Sequence, residues 1–201
     1  MNVLDAIQQR RAVKHFDPNH QMPAEIERQL LEAVQYAPTS FNIQHWRFVI
    51  IRDPDQRHAL KQAAWHQVQI SDASLVVVIC ADIQAWQKQP ERYWSHLPDQ
   101  AIQHTLLQML TDFYRDRPQT QRDEALRSVG IAAQTLMLAA QGLGYDSCPM
   151  IGFEADAVSQ LIQLPEDHLI GMIVSIGKPL QSAFPRGRTL TYTDLVFNNH
   201  F

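Results

Sequence analysis

The sequence predicts a single α+β domain spanning residues 1–201. Three observations lead there. Two short apolar runs of strand type, residues 48–51 and 75–80, stand either side of a helix-length segment. Helical stripes elsewhere do not alternate regularly with strands. A long segment, residues 124–141, is apolar on nearly all sides, so its helix must be buried in a core or a subunit interface. At 201 residues the chain can bury roughly 70% of its unfolded surface.

Residues 2–9 read as a short helix with Val3, Ala6, Ile7 and Arg10 near one face. A firmer helix covers residues 23–37. Pro23 suits a first turn, Glu25 and Glu27 oppose the helix dipole, and Ile26, Leu30, Ala33, Val34 and Ala37 form a stripe that Pro38 stops. Asp53-Pro54-Asp55 opens the helix between the two strands. A polar stretch bearing tryptophans, 82–98, precedes a helix over 101–114, where Ile102, Leu106, Met109, Leu110 and Phe113 share a face. Residues 115–121 form a charged link to the long apolar helix, which Gly142-Leu143-Gly144 ends. A short strand at 145–150, a surface helix at 154–164 and a strand at 169–176 follow. Gly177-Lys178-Pro179 closes that strand, and residues 181–201 form a polar C-terminal arm. There is no internal repeat, and Gly142-Leu143-Gly144 does not continue into a dinucleotide fingerprint.

An apolar share of 45% and a charged share of 19% argue against disorder. A net charge of −4 gives no global attraction to nucleic acid or anionic membrane, so an anion site must be a local cation cluster. No run reaches the ~18 apolar residues of a membrane span. Residues 1–5 lack the basic start and apolar run of a secretory signal, which predicts a cytoplasmic protein. Cys80 and Cys148 read as two free thiols, and neither they nor the nine histidines have metal-ligand spacing.

Two segments near the start are dense in chemistry. Arg10, Arg11 and Lys14 put three cations within five residues, able to grip a phosphate or simply to complement a helix end. Pro38-Thr39-Ser40-Phe41-Asn42-Ile43-Gln44 crowds short hydrogen-bonding side chains before a strand, as a ligand loop or a plain turn would. Together these segments resemble the entry signature of the FMN-dependent nitroreductases. The likeness extends to Cys148-Pro149-Met150-Ile151-Gly152-Phe153 and to Pro185-Arg186-Gly187-Arg188.

The resemblance implies an intertwined homodimer whose central, mainly antiparallel sheet is flanked by helices. It also implies FMN as cofactor, NADPH or NADH as electron donor, and a small-molecule acceptor: a nitroaromatic, a quinone or a related electrophile. By it, Arg10, Arg11 and Ala12 lie at the phosphate and ribityl chain, closed over by Arg186 and Arg188, and Lys14 approaches the pyrimidine edge. Pro38, Thr39, Ser40, Asn42 and Gln44 would reach the flavin of the other subunit. The backbone of Pro149, Met150, Ile151 and Gly152 would pass its N5 and O4, where Gly152 permits close approach. His66 and Gln69 fall at the pyrimidine ring. Phe41 and Trp94 would face the substrate, while Trp46 reads as core. Trp86, Tyr93 and Trp94 fit a pocket wall or interface packing equally. Two departures stand out: Ala12 replaces a usual serine, and a neutral Gln69 leaves Lys14 as the fixed cation near N1. No catalytic side chain and no metal is expected, because the cofactor performs the redox chemistry. The same fold could instead reduce an aldehyde or enone, or bind flavin without turnover.

Overall fold

The computed structural model describes residues 2–201. Helix α1 (Val3–Gln9) starts at a capping box in which the Asp5 amide donates to Asn2 Oδ1 at 2.9 Å. Helix α2 (Ala24–Val34) begins just after Pro23 and gives way to turns before Pro38. Strand β1 (Trp46–Ile50) leads to helix α3 (Pro54–Ala63), whose N-cap Asp53 accepts from the Gln56 amide at 2.9 Å. A short helix α4 (Val68–Asp72) precedes strand β2 (Leu75–Asp82). Two 3-10 turns, Ala85–Gln87 and Pro90–Tyr93, then lead to helix α5 (Gln100–Tyr114), capped by Asp99. Helix α6 (Pro118–Gly142) is followed by strand β3 (Asp146–Met150), helix α7 (Ala155–Leu161), strand β4 (His168–Gly177) and helix α8 (Tyr192–Leu195).

The four strands form one antiparallel sheet in the order β1-β2-β4-β3. All eight residues of β2 are buried, because both faces of the sheet are covered. Leu75, Val77, Ile79 and Ala81 face α2 and α6, whereas Val76, Val78 and Cys80 face the α3, α4 and α7 side. That double coverage is why the strand reads as an unbroken apolar run and not as an alternating one. The outer edge of β3 is partly covered, since Ala12 bridges Ser147, and Phe16 bridges Pro179 just beyond β4. Among the described residues no strand pairs with the outer edge of β1.

A third apolar cluster, outside the sheet, joins Ile43, Ala85, Trp86, Tyr93, Leu110 and Tyr114. It turns the stretch after β2 into a packed lobe over the loop that precedes β1. Trp46 lies in the core, as expected, and both cysteines are buried free thiols. Burial pushes the Cys80 thiol up to about 11.

Several elements differ from the sequence reading. The charged link shrinks to three residues, because Pro118 takes the first helical position, where its fixed φ suits the helix and its missing N–H goes unmissed. On α5 the inward face is Leu110 and Tyr114, while Ile102, Met109 and Phe113 stay exposed. Val3 and Ile7 of α1 are also exposed. Helix α4 has no separate sequence signal: it is one turn and a half, held by burial of Gln69 and Ile70. The arm carries the short helix α8, started by a Thr191–Asp194 capping box.

Candidate functional site

The chain ends converge on Arg10. Residues 12–16 lace first onto β3 and then onto the chain just beyond β4, with the Val13 amide donating to Ser147 O at 3.1 Å and the Leu180 amide donating to His15 O at 2.9 Å. This brings the start of the arm beside α1. Arg186 Nη2 then donates to the carbonyls of Gln8 (3.0 Å) and Arg10 (3.1 Å), capping the end of α1, and Arg11 donates to Phe184 O. No carboxylate joins them among the described residues. Arg10 Nη1 is buried with no partner, and its guanidinium is held below its ordinary value by burial, then by Arg186 and Arg11. Gathered cations with an unmet buried donor are built for an anion. Arg188 and Ala12 are exposed, and Arg188 makes no hydrogen bond or ion pair among the described residues.

Lys14 points outward because its neighbours Val13 and Phe16 turn into the core. Its charge still acts on Cys148 of β3, as does that of Arg10. Burial pushes the Cys148 thiol up, while Lys14, a hydrogen bond from Gln69, and Arg10 pull it back. Arg10, Lys14 and Gln69, from three separate stretches of chain, therefore act on one residue of β3, Cys148.

That stretch is clamped from the side of α3 and α4. Trp65 and His66 both adopt positive φ (53° and 59°), at a cost of roughly 1–2 kcal/mol per residue. The kink exposes His66 and turns Gln67 inward, where Nε2 donates to Gly152 O at 2.8 Å. Gln69 is 2% exposed, on the inner face of α4. Its Nε2 donates to Gln67 Oε1 at 2.8 Å and lies 3.8 Å from Cys148 Sγ. Pro149 and Gly152 are half-buried and Met150 is buried, whereas the Ile151 side chain is 79% exposed. Gln67 and Trp65 escaped the sequence reading because their partners lie more than eighty positions away.

The loop from Pro38 to Gln44 stands apart. No hydrogen bond, ion pair or ring contact joins it to the arginine cluster among the described residues. Phe41, Asn42 and Gln44 all have positive φ (51°, 54° and 55°), strain of the kind that persists where the surroundings over-determine it. Thr39 Oγ1 accepts from the Gln44 amide at 3.0 Å, and Arg47 Nη1 donates to Gln44 O at 3.0 Å. Ser40 is half-buried, and Pro38 and Asn42 are exposed. Phe41 meets Trp94 edge-on at 6.2 Å and also touches Phe113 and Tyr114, so the nominated pocket pair does come together. Trp86 and Tyr93 are buried beneath them. A cavity of about 810 Å³ opens beside the loop and the outer edge of β1, reaching Gln35, Arg47 and Arg92.

Arg47 is anchored in turn by buried Asp82, whose Oδ2 it meets at 3.1 Å. Lys88 Nζ lies 2.9 Å from Asp82 Oδ1 and 2.6 Å from Asp167 Oδ2, and His168 Nδ1 is 2.7 Å from Asp167. Asp82, Asp167 and His168 have the spacing of a metal site, but the Lys88 ammonium sits between the two carboxylates. The network supports the loop; nothing in the sequence marked Arg47 or Asp82 for that task.

Comparison with known proteins gives one consistent answer. A sequence model described as the nitroreductase family matches residues 7–178. Protein DrgA of Synechocystis sp. is 52% identical over 183 residues, covering 91% of this chain and 87% of that protein. A Bacillus subtilis protein provisionally named NAD(P)H nitroreductase MhqN is 35% identical over 188 residues, covering 90% and 91%. A provisionally named nitroreductase of Exiguobacterium sibiricum, solved in complex with FMN, has a TM-score of 0.90 at 26% identity over 99% and 98% of the two chains.

Proposed function

The chain belongs to the nitroreductase family, and from that premise we propose that it is an FMN-dependent oxidoreductase using NADPH or NADH. The observation that carries the reading is the arginine cluster: three guanidinium groups from both chain ends, one with a buried donor unmet. Bound there, FMN would supply hydride transfer from the nicotinamide donor to a nitroaromatic, quinone or related electrophile, donor and acceptor using one cleft in turn.

The residues divide the work. Arg10, Arg11 and Arg186 hold the phosphate, with Arg188 free to join them from the exposed arm and Ala12 beside them contributing only its backbone. Lys14 places a cation at the pyrimidine edge, where reduction leaves negative charge. His66 offers a hydrogen bond at the same edge, and Gln69 acts there from behind. Pro149, Met150, Ile151 and Gly152 present backbone to the ring. No side-chain acid is assigned, since solvent can supply protons.

Thr39, Ser40, Asn42 and Gln44 serve a second subunit's flavin, with Phe41 and Trp94 over its acceptor side. Their separation from the chain's own arginines supports a homodimer. So do the outer edge of β1, unpaired among the described residues, the half-exposed flank of α6 at Leu138 and Ala139, and an arm whose Phe184, Leu190, Tyr192, Leu195 and Phe197 face outward. The two unpaired thiols fit a reducing cytoplasm.

The test is the visible spectrum of the purified protein with FMN, recorded before and after anaerobic NADPH and then NADH. Flavin bands that bleach are the expected result, and the faster donor identifies the preferred nicotinamide. A protein that neither carries nor takes up FMN overturns the reading.

A further inference from the structure

Beyond β3 the chain loses its ladder partners, and the exposed Ile151 side chain cannot fix the backbone that follows. Three contacts from residues 63–67 do so instead. Gln67 Nε2 donates to Gly152 O at 2.8 Å, Trp65 Nε1 donates to Glu154 Oε1 at 2.7 Å, and the Glu154 amide donates to Ala63 O at 2.8 Å. The Trp65 ring lies so close over Gly152 that an added Cβ would stand 2.8 Å from Cζ3.

We propose that Gln67 is a positioning residue of the redox centre: it relays a buried amide contact from Gln69 to the Gly152 carbonyl and so fixes the backbone presented to flavin N5. This rests on the FMN reading above. Three features point to it. Gln67 is the N-cap of α4, yet its side chain makes no cap hydrogen bond; it is committed to Gly152. A carboxamide is the side chain that can accept from Gln69 through oxygen and donate to Gly152 through nitrogen at the same time. Gln69 in turn is buried against Cys148 of β3, so the relay leaves the sheet at Cys148 and returns to the same segment four residues on. A carbonyl held in such a chain is polarised and its peptide plane cannot turn freely. Because the Gly152 carbonyl oxygen is turned to Gln67, the N–H at the other end of that peptide points the opposite way, and an N–H held toward the ring would favour the reduced, more negative flavin over the oxidised one.

The experiment uses the full-length protein with FMN and two variants. Gln67→Met keeps the volume and removes both hydrogen bonds. Gln67→Glu keeps the acceptor for Gln69 and removes the donor to Gly152. The readouts are the FMN midpoint potential and the dissociation constant of oxidised FMN, together with amide hydrogen exchange across residues 150–154 of the FMN-free protein. The relay predicts oxidised-FMN affinity within about threefold of the parent in both variants. Reduced FMN should be bound about tenfold less well relative to oxidised, a potential lower by ~30 mV for a two-electron couple. The shift should be larger for Glu than for Met, and exchange at 150–154 faster in both. Variants that keep the parent's potential and exchange overturn the proposal while leaving the FMN reading intact. A parent that binds no FMN overturns both, at the first step. A variant that loses FMN altogether is judged by exchange, and protection equal to the parent's overturns the relay.

Discussion

Arg10 sits at the end of α1 with like charges for neighbours and one donor unmet. Such an arrangement favours a bound anion, which would meet the unpaired donor and offset the like charges. Arg10→Ala should therefore weaken FMN binding by about 2 kcal/mol, roughly thirtyfold, as loss of a charge-assisted bond does. The melting temperature of the FMN-free protein should stay within about 2 °C of the parent, because the guanidinium makes no hydrogen bond or ion pair among the described residues. Fluorescence titration with FMN and a thermal scan check both halves, and an unchanged dissociation constant would remove Arg10 from the site. The residues the sequence singles out are those whose chemistry is dense along the chain: Arg10, Arg11 and Lys14, or Thr39 to Gln44. Gln67 and Trp65 were illegible because a single amide or indole acquires meaning only from a partner the fold supplies.

Elements were legible where a period or a stop signal was strong. Helix α2, helix α6 and strands β2 and β4 follow directly from their apolar patterns. The start of α6 lies six residues earlier than its apolar pattern indicates, because its first turns are charged and solvent-facing, and Pro118 is the one residue there that marks a helix start. Helix α4 has too few residues for a period to appear. What no pattern revealed is how closely α6 lies on the sheet. A Cβ at Gly171 of β4 would stand 2.3 Å from Val129 Cγ1 and 3.3 Å from Ile79 O. Gly171→Ala must push α6 outward, and overpacking of this kind costs about 1–3 kcal/mol. Adding Val129→Ala removes the opposing methyl, so the double variant should be more stable than the sum of the two single losses implies, by about 1 kcal/mol. Urea unfolding of the four proteins at one protomer concentration measures this. Strict additivity would show that β4 and α6 do not meet at this point.

At the scale of the molecule, the loop before β1, the sheet and the central helix are joined through one buried histidine. His45 precedes β1, its backbone carbonyl accepts from the Asp82 amide at 2.8 Å, and its Nδ1 lies 3.0 Å from Ser128 Oγ on α6. The ring is fully buried and Nε2 has no partner, so a proton there would be a charge without solvent or counter-ion in contact. Burial pushes its pKa down to about 4, with Asp82 opposing and Arg47 reinforcing the shift. The unfolded chain, with an ordinary histidine near 6.5, takes up the proton first as pH falls. Stability is thus retained above pH 6.5 and lost progressively between 6.5 and 4, by about 3 kcal/mol at the lower limit. Because His45 ties the loop before β1 to α6, that loss should be global and not confined to the loop. His45→Gln keeps a hydrogen-bonding group for Ser128 but cannot titrate, so its stability should fall less steeply over the same interval. Urea unfolding at pH 7, 5.5 and 4.5 for parent and variant separates the two. Parallel profiles would mean that the folded protein accommodates the proton at His45, and the tie between loop and helix would then be looser than its burial implies.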